Sequence, residues 1–316
     1  SYMNYISCES AAKKIGVSTR RIQQMCKQKE IVGAIKDGRN WLIPDNAILS
    51  PKKPLPIGVS DFKSATTNYY YVDKTMFIER IEMQPAYLFL IRPRRFGKSL
   101  TLAMLEAYYD VVYANDFDEL FGHLYIGQHP TPKHNCYLIM RFNFSEVSSN
   151  VNEVERSFKL HCCSKLRDFV FKYEDLLGKE IWDVLDEEIQ QDPGAFLSAV
   201  NSYASRKGNL PIYLLIDEYD NFTNTILSTY GTEYYQKATH GEGFVRGFFN
   251  VIKAATTGTG SALQRMFITG VSPVTMDDVT SGFNIGTNIT TDPWFNDLVG
   301  FSEAELREML TYYKEQ

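Results

Sequence analysis

Consecutive apolar residues recur in short runs along the later part of the chain: Tyr87–Ile91, Cys136–Phe144, Ile212–Ile216 and Met266–Thr269. Continuous hydrophobicity predicts strands buried on both faces, as in a parallel sheet. Between the runs lie segments with helical spacing: Lys98–Tyr109, several between Val151 and Lys207, and Glu242–Thr256. This alternation predicts a largely parallel sheet covered by helices on both faces. Residues 1–50 follow another pattern. Ala11, Ala12, Ile15 and Val17 suggest a short helix that Gly16 ends. Ser18 is placed to cap a second helix, Thr19–Gln28, whose Ile22 and Met25 face inward. Ile31–Ile35 and Trp41–Pro44 then flank Lys36-Asp37-Gly38-Arg39, and Asp-Gly between apolar runs predicts a hairpin.

The ends of the buried runs carry the chemistry. Tyr87–Ile91 leads through Arg92, Pro93, Arg94, Arg95 and Phe96 into Gly97-Lys98-Ser99-Leu100, where a helix begins. Strand, Gly-Lys-Ser turn and helix in that order form the phosphate-binding Walker A arrangement of P-loop NTPases. Helix N-terminal amides and the helix dipole favour the phosphates, Lys98 reaches the terminal ones, and Ser99 ligates Mg²⁺. The first Gly of the usual pattern is replaced by Arg92, removing the residue that tolerates positive φ in the first turn. A lone Gly-Lys-Ser also occurs as an ordinary helix start. Ile212–Ile216 ends in Asp217-Glu218, a Walker B arrangement. Asp217 is suited to hold Mg²⁺ and Glu218 to orient or deprotonate water. The alternative is that both simply begin a solvated loop. The two motifs are expected side by side at the carboxyl ends of the strands, where ligands bind in open α/β sheets. Thr269, at the tip of the last run, is either a sensor of the terminal phosphate, as in AAA-type ATPases, or a strand cap.

Several segments together resemble the bacterial AAA-ATPase-like family. They are Leu55–Ile81 (LPIGVSDFKSATTNYYYVDKTMFIERI), Ile91–Leu100 (IRPRRFGKSL), Tyr213–Asp220 (YLLIDEYD) and Ile268–Val274 (ITGVSPV). The resemblance covers about residues 54–316, and in that family an Arg-rich loop replaces the Gly-rich one. It implies an α/β P-loop NTPase fold of AAA type binding ATP and Mg²⁺. Arg94, Arg95, Phe96, Gly97, Lys98, Ser99 and Leu100 form the phosphate loop. Ser99 and Asp217 hold the metal, and Lys98, Glu218 and Thr269 serve catalysis. Asp61 and Tyr71–Thr75 are implied near the base or ribose, with Asp73 alternatively capping a helix Lys74–Ile81. Arg94 and Arg95 either stabilise phosphate charge or anchor the loop. No arginine finger is assigned, Arg246 and Arg265 being the available candidates. Many members carry a nuclease-like domain of the PD-(D/E)XK type after the ATPase.

Residues 4–50 resemble the MerR/excisionase-type winged helix-turn-helix. That resemblance implies double-stranded DNA as partner. Ser18, Thr19, Arg20, Arg21, Gln23 and Gln24 would lie on the groove helix, with Lys36 and Arg39 on the wing. Arg and Gln suit bidentate base contacts. Residues 1–50 hold eight Lys or Arg against four Asp or Glu, whereas the whole chain is formally −5. That local polarity suits a DNA-facing appendage, although a basic face can also be merely solvated in a protein-contact domain.

The length of 316 residues accommodates two domains. The expected division is 1–50, a Pro-rich linker 51–56, an ATPase domain 57–299, and 300–316 as the opening of a helical lid, with Ser302 and Glu305 forming a capping box. The lid stops as it starts, so the sequence reads as a fragment of a longer protein, from which any nuclease domain of the PD-(D/E)XK type would be missing. No apolar run approaches bilayer length and no signal peptide is evident. With the absence of such a run the expectation is a cytoplasmic protein and no membrane, and the odd count of five cysteines without CxxC spacing, together with the cytosolic motifs, predicts free thiols. His161-Cys162-Cys163 falls on a helix, where adjacent side chains diverge, and is not read as a metal site. The sequence therefore predicts a Mg-dependent ATPase, with homo-oligomerisation open, joined to a DNA-binding module. The alternatives are a DNA-binding regulator whose nucleotide site switches without turnover, and a module whose loop binds no nucleotide.

Overall fold

A computed structural model describes residues 4–47, 52–208, 210–272 and 286–314. Pro273 and Val274 of the expected strand-end motif lie outside the described residues, as do the extreme ends of the first and last segments. The chain divides into two compact units. One holds 1–56, 68–70 and 302–316; the other holds 57–67 and 71–301.

In the first unit, β1 (Tyr5–Ser7), β2 (Ile35–Asp37) and β3 (Asn40–Pro44) form an antiparallel sheet in the order β1-β3-β2. Two helices, α1 (Cys8–Ile15) and α2 (Thr19–Lys27), sit between β1 and β2 in the chain. The Ser7 side chain caps α1, and Gly16 ends it at φ +70°, a conformation natural to glycine. Ile22 and Cys26 of α2 are buried with Ala11, Ala12 and Ile43. The hairpin is tighter than its sequence suggests. Asp37 pairs with Asn40, leaving Gly38 and Arg39 as the turn and placing Lys36 in a strand opposite Trp41. β1 has no counterpart in the hydrophobic pattern, being three residues long. In the same unit, Lys53 N–H donates to the Tyr312 hydroxyl at 2.9 Å, and the Tyr70 and Tyr312 rings lie 4.6 Å apart. The helix Glu303–Lys314 opens with the expected capping box. Ser302 N–H donates to Glu305 Oε2 at 2.7 Å, and Glu305 N–H donates to Ser302 Oγ at 3.2 Å.

The second unit is built on β4 (Tyr87–Ile91), β5 (Leu138–Asn143), β6 (Ile212–Asp217), β7 (Leu263–Gly270) and β8 (Thr287–Asn288). These form one parallel sheet in the order β5-β6-β7-β4-β8. Alternation along each strand feeds two cores. Phe89, Leu214 and Ile268 enter one, with Phe158, Val200, Phe248 and Ile252 from the helices Val154–Lys172, Pro193–Lys207 and Phe244–Thr257. Leu88, Leu90, Leu215 and Phe267 enter the other, with Leu102, Leu105 and Tyr109 of the helix Lys98–Tyr109. Burial on both faces explains why the strands read as unbroken apolar runs.

The strand order corrects one expectation. β4 and β6 are not neighbours, because β7 lies between them. From β4 the chain crosses to the far edge at β5, returns through β6 and β7, and then passes to the other side of β4 at β8. The order therefore reverses beside β4, and such a switch point opens a crevice at the carboxyl ends of the strands.

Candidate functional site: a phosphate loop facing three carboxylates

Parallel register brings the strand tips into one line. Asn143 pairs with Asp217, Ile216 with Ile268, Leu90 with Thr269 and Ile91 with Gly270. Thr269 thus stands between the phosphate loop and Asp217.

The loop itself is held by its own residues. Arg92 continues the ladder, its N–H donating to Gly270 O at 3.1 Å. Its guanidinium donates back to Ile91 O and to Thr290 O, and Ile91 N–H donates to Thr290 Oγ1 at 2.9 Å. Arg92 does not take positive φ. That conformation falls on Arg95, at +65°, and Gly97, at +86°. The missing first glycine is consequently no obstacle to the turn. Gly97 is the N-cap of the helix Lys98–Tyr109, whose first amides face the loop. Arg94, Arg95 and Phe96 are exposed, while Ser99 and Leu100 are half-buried. Gly300 N–H donates to Phe96 O at 3.0 Å, which fixes the loop's far shoulder.

Lys98 is buried, and its ammonium donates to Arg92 O at 2.9 Å and Pro93 O at 2.8 Å. Burial lowers its pKa, against the opposing pull of the Glu218, Asp217 and Asp220 carboxylates. Those three acids therefore face the loop lysine electrostatically. Asp217 is 2 % exposed, and its Oδ1 accepts the Thr269 hydroxyl at 2.7 Å. Glu218 N–H donates to Thr269 Oγ1 at 3.4 Å. The Thr269 hydroxyl is therefore turned onto the carboxylate strand. Glu218 adopts φ +48°, a left-handed conformation unusual for a residue with a Cβ, and its Oε2 accepts Asn221 Nδ2 at 2.5 Å. Strain of this kind concentrates at functional sites.

Several expectations are corrected. Asp73 does not cap a helix Lys74–Ile81, since the helix spans Phe77–Glu82. Instead its Oδ1 accepts Thr75 N–H at 2.8 Å and its Oδ2 accepts Tyr125 N–H at 2.7 Å, tying two segments together. Asp61 accepts Ser64 N–H at 2.6 Å and lines a cavity of about 260 Å³ with Ala103, Glu106 and Arg141. That cavity lies about 8–14 Å along the post-loop helix from Lys98. Arg265 is buried near the amino end of β7, donating to Ile81 O at 3.0 Å. It lies about 13 Å along the strand from Thr269, which removes it as an arginine-finger candidate. Arg246 is half-buried on the helix Phe244–Thr257.

Sequence reading passed over Asp220 and Tyr219. Asp220 is fully buried and accepts hydrogen bonds from Val271 N–H, Ser272 N–H and Asn224 Nδ2. The signal was present in the repeated acid of Asp217-Glu218-Tyr219-Asp220 but had no assigned role.

On the first unit all eight DNA candidates are exposed. Ser18 is occupied as the cap of α2, its Oγ accepting Arg21 N–H at 3.2 Å. The Arg21 guanidinium lies 3.5 Å from Glu30. Arg20, Gln23 and Gln24 share the side of α2 opposite Ile22 and Cys26, and Lys27, which the sequence reading omitted, extends it.

No helix among the described residues is long and apolar enough to cross a membrane. A family profile described as Predicted AAA-ATPase matches residues 56–280. The chain is similar to a protein of Azotobacter chroococcum mcd 1 named "Uncharacterized protein in vnfD 5'region", at 26 % identity over 265 residues. The match takes in 81 % of this chain and 44 % of that relative, so the chain spans less than half the relative's length. No solved structure matches. With the profile covering the phosphate loop, both carboxylate positions and Thr269, the chain belongs to the predicted AAA-ATPase family.

Proposed function

We propose that the second unit binds a Mg²⁺-bound nucleoside triphosphate, ATP in the first instance, and hydrolyses it. The observation that carries this reading is the parallel register that aligns the tip of β4, which leads into the Lys98 loop, with Thr269 of β7 and with the end of β6, where Asp217 and Glu218 stand. The donor set fits the group. Ser99 hydroxyl and Asp217 carboxylate are hard oxygen ligands of the kind Mg²⁺ takes alongside phosphate oxygens and waters. When bound, the metal supplies Lewis-acid polarisation of the phosphates. The chain's residues do the rest. Lys98 exchanges its bonds to Arg92 and Pro93 carbonyls for the terminal phosphates, where its charge has more value. Amide N–H groups following Gly97 donate to the phosphate oxygens at the helix N-terminus. Thr269 keeps Asp217 oriented. Glu218, held by Asn221, orients the attacking water and takes its proton. Arg94 and Arg95, exposed on the loop, offer added positive charge toward the phosphates.

In the same reading the first unit is a winged helix-turn-helix on double-stranded DNA. α2 carries Thr19, Arg20, Gln23, Gln24 and Lys27 to the groove, and Lys36 and Arg39 of the hairpin touch the backbone. Support comes from exposure of every candidate and from the local positive charge.

Glu218→Gln tests the enzyme reading. Loss of phosphate release with retained ATP binding supports it. Negligible release by wild type and variant alike, with binding intact, would favour a nucleotide-binding switch. Absence of any thermal shift with millimolar Mg-ATP would reject nucleotide binding altogether.

A further inference from the structure

Building on the Mg-nucleotide reading, we propose that Asp220 is a positioning residue that sets the carboxylate-bearing end of β6 against the phosphate loop by way of β7. A buried carboxylate must be compensated, and the partners chosen here belong mainly to the neighbouring strand's exit. Oδ1 and Oδ2 accept Val271 N–H at 3.1 and 3.0 Å, and Oδ2 accepts Ser272 N–H at 2.5 Å. Asn224 Nδ2, on the following helix, completes the set at 2.8 Å. Tyr219 closes the same clasp, its N–H donating to Thr269 O at 3.0 Å and its hydroxyl to Ser272 O at 2.8 Å.

The clasp is close enough to demand a glycine. A Cβ on Gly270 would stand 2.1 Å from the Tyr219 ring and 3.0 Å from Asp220 Oδ1. Gly270 in turn accepts Arg92 N–H at 3.1 Å, and Arg92 O accepts the Lys98 ammonium at 2.9 Å. A connected path therefore runs from Asp220 through Val271, Gly270 and Arg92 to Lys98. Asp217 and Glu218 lie only three and two residues before Asp220. Loosening the clasp lets the β7 exit turn, shifts the Gly270 carbonyl, and changes the separation between the loop lysine and the metal-binding carboxylate. Metal coordination depends on that separation; contact of the loop amides with phosphates alone does not.

The test uses the full chain and two near-isosteric variants, Asp220→Asn and Tyr219→Phe. Affinity for a fluorescent ATP analogue is measured with Mg²⁺ and with EDTA, alongside phosphate release against Mg²⁺ concentration and melting temperature. Asp220→Asn is expected to keep the metal-free affinity near wild type while weakening the Mg²⁺-dependent gain and kcat by about 10–100-fold, the range for groups that orient metal ligands. Tyr219→Phe should move both in the same direction by less. A lowered melting temperature with a wild-type Mg²⁺ activation curve and kcat would make Asp220 purely structural and overturn the inference, leaving the ATPase reading intact. If Asp220→Asn does not fold, a wild-type Mg²⁺ response in Tyr219→Phe overturns it equally. Failure of the wild type to bind the analogue would overturn both.

Discussion

Thr269→Val isolates the contact at the centre of the site. Valine matches threonine in shape, so the change removes a hydroxyl without opening a cavity. The hydroxyl donates to buried Asp217 at 2.7 Å and accepts from Glu218 N–H at 3.4 Å. A hydrogen bond to a charged group contributes about 1.5–3 kcal/mol, and removing it leaves a nearly inaccessible carboxylate without that donor. For a unit of this size each kcal/mol lowers the melting temperature by about 2–4 °C, so a fall of about 3–12 °C is expected. Thermal denaturation of Thr269→Val, Asp217→Asn and the double variant forms a cycle. The valine change should cost markedly less once Asp217 is an amide, because the charge-assisted part has already gone. Phosphate release should fall in Thr269→Val even where nucleotide binding persists. Strictly additive melting shifts, or a Thr269→Val protein as stable as wild type, would refute the assignment of this hydroxyl to the carboxylate.

Other outcomes follow from single features. Gly97→Ala places a Cβ at φ +86° in open space, so only backbone strain of about 1–2 kcal/mol is added; calorimetry should show that loss, with weaker triphosphate binding. Lys36→Ala or Arg39→Ala should weaken duplex binding and reduce the salt dependence of the binding constant by about one phosphate contact each, measured by fluorescence anisotropy across a salt series. His161 is lowered by burial below its usual 6.5, so the unfolded chain binds the extra proton first. The stability it contributes is full above 6.5 and is lost as pH falls from there toward the folded value. Urea unfolding of His161→Gln should show a shallower acid loss in that window; an identical profile would count against it.

The sheet was largely legible because each central strand is apolar on both sides, as in Leu88–Ile91 and Ile212–Ile216. β8 was not, since Thr287–Asn288 carries no hydrophobic signal and is placed by pairing with Leu88 and Phe89. Nor does residue order along a chain encode spatial order across a sheet, which is why β6 was expected beside β4. The position of Thr269 could be read from its strand end, but the direction of its hydroxyl depends on the register with Asp217. Asp73 shows the opposite failure: acid before a helical pattern suggests a cap, yet its carboxylate reaches an amide 52 residues away in sequence. Arg265 was an arginine-finger candidate with no motif behind it, and the structure puts it over the Tyr213 ring, 5.8 Å from the centroid.

The left-handed backbone at Glu218 sets two selective demands against each other. Glycine or asparagine would relax that residue and raise resistance to heat, while deleting the acid proposed to act on water. A screen rewarding only soluble, heat-resistant protein should therefore drift toward small or amide side chains at this one position, and a screen rewarding turnover should restore the glutamate. Comparing the two populations would expose the site without a ligand ever being named.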